Sequence, residues 1–308
     1  YQSALAEWFS KNPHNVFPSF RKTEMENFMA NGLKDVSFTR KSIAWGVPCT
    51  INEEHTIYVW SDALVNYLTV CGYPEKHYAD FWPANVHVIG MDINRFHSLL
   101  WPAMLLSAQL PLPKQILVHG FVNDENGEKM SKSKGNVVDP LKLIPLYGVE
   151  PIRYYLLRES PLGNDVAFSE KNLIHRNNAE LADGLGNWVY RVLSMLEKYC
   201  NSVIPPAPLL DSLVVSAQAS AQDAYHAYLS HDPQGALIHV WKVIALGNKS
   251  IADAEPWKKM KEGQRAEVEQ LLVTQVELIR RVAILLTPVL PQTAQKIQFQ
   301  FGLPAQSF

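Results

Sequence analysis

Apolar residues recur along this 308-residue chain in two rhythms, and the change from one to the other falls near residue 170. Before it, short helical and strand patterns alternate. Leu5, Trp8 and Phe9 fit one helical face and Met25, Phe28 and Met29 another, which the Asn31-Gly32 pair stops. Asp35–Arg40 alternates as a strand does, and Thr56–Trp60 reads as a buried strand. Val86–Ile89 predicts a second strand ending at Gly90, followed by a helix over Asp92–Ser107; Gln115–His119 predicts a third. Strand–helix–strand units on this spacing imply a parallel α/β sheet, of which the second half is represented. Beyond residue 170 no strand pattern remains. Helices are predicted at about 170–200, 212–230, 233–249 and 264–287, with a short one near 290–301. In the fourth, Val268, Leu272, Ile279, Val282 and Leu286 repeat at helical spacing. The fold class is therefore α/β followed by an all-α bundle, with domains expected at 1–168 and 169–308.

Composition narrows the function classes. Apolar residues make up 47% and charged residues 19%, enough for sizeable cores in about two domains. A net charge of -2 excludes a strongly basic nucleic-acid binder, so any RNA contact must use local patches or shape. Cys49, Cys71 and Cys200 are scattered and build neither a zinc site nor a disulfide framework. The longest apolar stretches, such as Val282–Leu286, are far too short to span a bilayer, and no membrane partner is expected. The chain opens at Tyr1 with no secretory or transit pattern, and is expected to be a piece of a longer protein.

The chemistry concentrates in Glu128–Asn136. Lys129, Lys132 and Lys134 fall within six residues, separated by small hydroxyls and flanked by Gly127 and Gly135. Such a loop is either a solvated surface run or a cationic flap that balances charge as a phosphate bond breaks. No Gly-x-x-x-x-Gly-Lys-Ser/Thr loop competes for that role. Trp60, Ala63 and Tyr67 lie at i, i+3 and i+7, on one face of a helix. They are either core packing or the wall of a pocket suited to a flexible thioether. Asp62 in the same turn caps the helix or orients a substrate group. Gly90 at a strand end, with Asp92 in the next turn, stands where parallel α/β sheets bind ligand. Ile93 and His97 are i, i+4, and His97 is a core histidine unless it joins the Trp60 stripe. In the bundle, Asn187 and Arg191 are i, i+4 and Trp257 follows Pro256, a set that reads and stacks RNA bases or is plain surface.

Four ordered motifs now fit one family. They are Tyr58-Val59-Trp60-Ser61-Asp62-Ala63, Ile89-Gly90-Met91-Asp92-Ile93 with Phe96-His97, Lys129-Met130-Ser131-Lys132-Ser133, and Asn177–Asp183 with Gly186-Asn187. The chain resembles methionyl-tRNA synthetase of the bacterial and mitochondrial type over nearly its whole length. The resemblance implies the second half of a class I nucleotide fold followed by an α-helical anticodon-binding bundle. It implies ligation of L-methionine to tRNA(Met) through methionyl-adenylate, using ATP and Mg²⁺. Trp60, Ala63, Tyr67, Ile93 and His97 are then expected to line the methionine pocket. Gly90, Asp92, Lys129, Met130, Ser131, Lys132 and Ser133 are expected to bind ATP, with Lys129 and Lys132 catalytic. Asn187, Arg191 and Trp257 are expected to read the anticodon, and no resident metal site is expected. The sequence departs from the family pattern in three ways. It lacks a His-x-Gly-His motif, it has Met91 where a lysine is usual, and it has Ser61 in place of a larger apolar residue. The first departure implies a C-terminal fragment that is inactive alone. It also leaves a second class of function open, a non-catalytic tRNA-binding or scaffold module. A mitochondrial matrix location is expected, with the cytoplasm as the alternative.

Overall fold

The computed structural model describes residues 1–43, 45–304 and 306. They form two compact units. The first is Tyr1–Phe121 with Leu162–Asn164, and the second is Val122–Pro161 with Asp165–Phe308. The division expected at 168/169 falls inside the second unit, just after the last strand ends at Ala167.

The first unit runs α1 (Gln2–Lys11), β1 (Val16–Phe17), α2 (Ser19–Ala30), β2 (Thr39–Arg40), β3 (Thr56–Ile57), α3 (Val59–Val70), β4 (His87–Gly90), α4 (Trp101–Ser107) and β5 (Ile116–His119). Its sheet is parallel, in the order β1-β5-β4, with Ile116 of β5 between Val16 and His87. Ile116 and Val118 are fully buried, and Leu5 and Phe9 of α1 and Met25 and Met29 of α2 pack with them. These pairs are i, i+4, so each helix lays one apolar stripe on the core.

Two strand expectations shrink. Only Thr39–Arg40 of the 35–40 segment is strand, paired antiparallel to Thr56–Ile57, and Val36 and Phe38 are exposed. Alternation there has no second layer to bury it. The strand expected over Thr56–Trp60 stops at Ile57, and Trp60 stands in the first turn of α3. The helical path expected over 92–107 is present but irregular. It opens with a 3₁₀ turn at Met91–Ile93 and widens into a π turn at Phe96–Leu100 before α4.

The second unit starts with β6 (Val122–Asn123), α5 (Pro140–Tyr147), α6 (Val149–Glu159) and β7 (Val166–Ala167), the two strands pairing in parallel. It continues with α7 (Glu170–Arg176), α8 (Asn187–Cys200), α9 (Asp211–Leu229), α10 (Pro233–Ala254), α11 (Pro256–Lys261), α12 (Arg265–Leu286) and α13 (Pro291–Gln300). A π-helical stretch, Asn177–Gly186, joins α7 to α8. The five predicted helical regions are all present. Val268, Leu272, Ile279, Val282 and Leu286 of α12 are each at most 1% exposed, so this stripe is the axis of the bundle core.

Helices α5 and α6 lie in a stretch to which the sequence pattern assigns no element, although Pro140, Pro145 and Pro151 fall within it. Pro140 sits at N1, where its missing N–H costs nothing, and the Asp139 side chain accepts from Leu141 N at 2.9 Å. Helix α6 joins the bundle. Tyr154 is fully buried, 4.8 Å from the Trp241 ring, and its hydroxyl donates to Glu180, which also holds Arg176 at 2.6 Å.

Candidate functional site

Helix α3 brings Trp60 and Tyr67 onto one face, and the π turn sets Phe96 and His97 against them. Trp60 stacks on Phe96 at 4.4 Å with 13° between planes, and its ring centre lies 6.2 Å from that of His97. The Tyr67 hydroxyl meets His97 Nε2 at 2.8 Å, and His97 Nδ1 lies 3.1 Å from the Ile93 carbonyl. A carbonyl accepts only, so Nδ1 carries the proton and Nε2 accepts from Tyr67. Burial agrees with this assignment. It lowers the His97 pKa and raises that of Tyr67, keeping both neutral. The outcome is an aromatic box with a fixed tautomer, in which the Tyr67 oxygen keeps a lone pair to spare. Ala63 and Asp62 stand exposed beside it. Ile93 joins through its carbonyl; its side chain packs toward the sheet core instead. Ser61 is buried, and its hydroxyl has no partner among the described residues. At i, i+3 and i+7 with buried Leu64 and Leu68, Ser61 belongs to the core side of α3 and not to the box.

Behind the box lies His87, a residue the sequence reading passed over. Its ring centre is 4.4 Å from that of Tyr67, and its Nε2 accepts from Trp101 Nε1 at 3.3 Å. Burial, with His97 nearby, lowers its pKa from 6.5 to about 4. Because the folded value is depressed, the unfolded chain takes up the proton first. Stability is therefore complete above pH 6.5 and is lost as pH falls toward 4. The expected loss over that window is about 3 kcal/mol, seen in urea unfolding as a fall in midpoint for this unit. His87→Gln, which keeps an acceptor for Trp101, flattens the dependence; an equally steep acid loss in that variant would refute the assignment to His87.

Gly90 ends β4, and Asp92 stands exposed in the turn after it. A Cβ at position 90 would lie 2.8 Å from Asp92 Oδ1, so the glycine leaves that carboxylate its place. Met91 removes a cation from this turn, yet Arg21 of α2 puts one back. Its Nη2 lies 3.2 Å from Met91 Sδ and donates to Gly163 O at 2.8 Å.

The lysine loop belongs to the second unit. Asn123 and Lys129 form an antiparallel bridge, and Gly127, with φ +79°, turns the chain between them. Lys129, Lys132 and Ser133 are exposed. Lys134 is engaged by Glu128 at 2.9 Å, whereas Lys132 has no side-chain partner among the described residues. The Ser131 and Ser133 hydroxyls lie 3.3 Å apart. Met130 turns inward onto the cluster of Leu143, Ile152, Tyr155, Phe168 and Leu173, and thereby anchors the loop.

On α8, Trp188, Val189 and Val192 face the core while Asn187 and Tyr190 are exposed. Arg191 Nη1 reaches Asn248 Oδ1 of α10 at 3.5 Å, and Trp257, 42% exposed, follows the turn that ends α10. Tyr190, 69% exposed and three residues from Asn187, is a further aromatic on this face. Its signal in the sequence is the helical spacing itself. Among the described residues no group of three or more His, Cys, Asp and Glu side chains could hold a metal ion, and no helix is long and apolar enough to cross a membrane.

The chain is similar to known proteins in sequence and in fold. The family described as tRNA synthetases class I (M) matches residues 1–193, and the anticodon binding domain of methionyl tRNA ligase matches residues 217–307. Methionine–tRNA ligase of Brucella suis is 41% identical over 99% of this chain and 60% of its own length. That of Thermotoga maritima is 40% identical over 96% of this chain and 48% of its own. The methionyl-tRNA synthetase of Mycobacterium tuberculosis, solved with methionyl-adenylate, superposes with a TM-score of 0.88 and 37% identity, over 96% of this chain and 60% of that one. The chain thus spans about half to three-fifths of the length of the relatives it matches. With the box, the lysine loop and the bundle all inside these matches, the chain belongs to the methionyl-tRNA synthetase family of class I tRNA synthetases.

Proposed function

We propose that this chain is the portion of a methionine–tRNA ligase that supplies the side-chain pocket for methionine, the lysine loop for ATP and the face that reads the anticodon. The observation that carries this reading is the box of Trp60, Phe96, Tyr67 and His97, whose aromatic walls and single oxygen suit a polarizable thioether. The Mycobacterium tuberculosis relative, solved with methionyl-adenylate, supports the same substrate.

In the first step a methionine carboxylate oxygen attacks the α-phosphorus of ATP. The bond from that phosphorus to the bridging oxygen of the β-phosphate breaks, and pyrophosphate leaves. In the second, a hydroxyl of the tRNA 3′-terminal ribose attacks the activated carbonyl, and AMP leaves. No side chain is acylated, so the protein's part is positioning and charge balance. The box fixes the side chain, Asp92 accepts from ribose hydroxyls beside Gly90, and Lys129 and Lys132 face the charge that builds on the phosphates. Mg²⁺ enters with the nucleotide as part of the substrate.

Methionine-dependent ATP–pyrophosphate exchange tests this, with the chain alone and with an N-terminal half carrying the His-x-Gly-His motif. Exchange in the combined halves is the expected result. Persistent silence in the assembled pair would favour the second reading, a tRNA-binding module without catalysis. Departures such as Met91 are what would keep that reading alive.

The anticodon face gives a separate test. Trp257→Ala should weaken binding of a methionine anticodon stem-loop by about 1–3 kcal/mol, the range for one base stacked on an aromatic ring. Fluorescence anisotropy reads this directly. If the variant and the parent chain bind equally, Trp257 does not stack on the RNA.

A further inference from the structure

The lysine loop is held by a contact between residues twelve apart. Asp124 is 9% exposed and follows β6. Its Oδ1 accepts from the backbone N–H groups of Asn126 at 3.0 Å and Glu128 at 2.8 Å. Its Oδ2 accepts from Asn136 Nδ2 at 2.8 Å. Asn136 Oδ1 in turn accepts from Ser131 N at 2.9 Å, and its Nδ2 approaches Lys129 O at 3.4 Å. Both strands of the loop are therefore tied to one carboxylate, one directly and one through an amide. Lys129, Met130, Ser131, Lys132 and Ser133 are strung between the ties.

From this juxtaposition we infer that Asp124 and Asn136 form a latch that sets the conformation in which the loop presents Lys132 to the ATP phosphates. They are positioning residues, acting through the loop and not on the nucleotide, and the inference rests on the reading proposed above. The Asn136 bond and the backbone N–H bonds hold the Asp124 carboxyl below its ordinary pKa, with Lys134 adding to the effect, so the latch is charged at neutral pH. A charged acceptor makes these bonds stronger than neutral ones. The Lys134–Glu128 pair also spans the loop, but both side chains are more than half exposed, so it adds little. Met130 is a second, apolar fastening at the middle of the span.

The latch can be tested by exchanging its two ends. Asn136→Ala removes the amide and leaves the Ser131 N–H and one Asp124 oxygen without partners. Asp124→Asn alone sets one amide against another. The Asn136 side chain can relieve this only by turning over and giving up Ser131 N. Asn136→Asp alone places two carboxylates at hydrogen-bond distance. The double exchange Asp124→Asn with Asn136→Asp restores the ties to Asp124 and to Ser131 N, and gives up only the longer approach to Lys129 O. The new amide at 124 keeps its oxygen on the two backbone N–H groups and donates to the new carboxylate at 136, whose other oxygen takes Ser131 N.

Two readouts apply. In this chain, tryptic cleavage after Lys129, Lys132 and Lys134 reports opening of the loop. Each single change should speed it about tenfold, with cleavage elsewhere and the melting temperature unchanged, and the double exchange should return it to within about twofold of the parent. In the assembled enzyme, each single change should lower kcat for pyrophosphate exchange about tenfold with the methionine KM unchanged, and the double exchange should recover it. Loss without rescue in the double variant would overturn the latch, as would an unchanged kcat in Asn136→Ala where Lys132→Ala is slow. If Lys132→Ala is also normal, the reading of the loop falls and the latch falls with it.

Discussion

Lys132→Ala in the assembled enzyme slows methionine-dependent pyrophosphate exchange by ~10²–10³-fold, the range for removing one preorganised charge or donor from a reacting centre. Methionine binding is expected to be unchanged, because the box proposed for the thioether, Trp60, Tyr67 and His97, lies on the first unit. The reason for choosing this lysine is structural. Lys134 is committed to Glu128, while Lys132 is exposed and has no side-chain partner among the described residues. Its ammonium is thus available to charge that exists only when nucleotide is bound. An interaction that strengthens as the α–β bond breaks lowers kcat more than it raises KM when it is removed. Lys132→Arg keeps the charge but replaces a compact ammonium by a planar fork, so it should recover only part of the rate. Exchange at the parent rate in Lys132→Ala would remove this residue from the reaction.

Trp188→Ala is expected to cost the second unit ~3–5 kcal/mol, the range for truncating a buried aromatic. The indole is fully buried, and its Nε1 donates to Gln275 Oε1 at 2.8 Å, while Gln275 Nε2 donates to Ser250 Oγ at 2.8 Å. Its six-membered ring lies against Gly247, where an added Cβ would come within 2.3 Å of Cζ2. The truncation opens a cavity and leaves the Gln275 carbonyl without its donor, and two penalties add. A drop of roughly 10 °C in the melting temperature follows for a unit of this size. Trp188→Phe, which fills most of the space but cannot donate, should fall between. Asn187 and Arg191, proposed to read the anticodon, flank Trp188 on α8, so on that proposal anticodon binding should weaken even where the protein stays folded. A loss below about 1 kcal/mol would contradict this account of the core.

The sequence made some of this legible, and the reasons are local. The α12 stripe, Val268 to Leu286, repeats over about five turns, and the Trp60–Tyr67 face and the lysine cluster are each contained within a dozen residues. What stayed hidden depends on distance or on short pieces. β1, β6 and β7 are two residues each and offer no period to read. The Asp124–Asn136 contact joins residues that nothing in the linear order pairs. His87 looked like one more residue of a strand, and only the fold sets Trp101 and Tyr67 around it. Helices α5 and α6 drew no prediction; prolines crowd 140–151, and the same residue that breaks a helix interior opens a helix at its first position, as Pro140 does.

One consequence concerns how the chain can be divided. Tyr154 is buried in the bundle core, Arg153 donates to the carbonyls of Pro288 and Val289, and Glu150 accepts from Gln292 N and Thr293 N. A recombinant anticodon-binding fragment started at residue 169 would therefore lack a wall of its own interior, including the Tyr154 ring that packs on Trp241. One started at Val122 retains that wall. It would carry Leu162–Asn164 as a passive excursion, since the partners of Gly163, Pro18 and Arg21, are left behind. For work on RNA binding by itself, the productive place to sever the protein is the end of the sheet, not the start of the long helices.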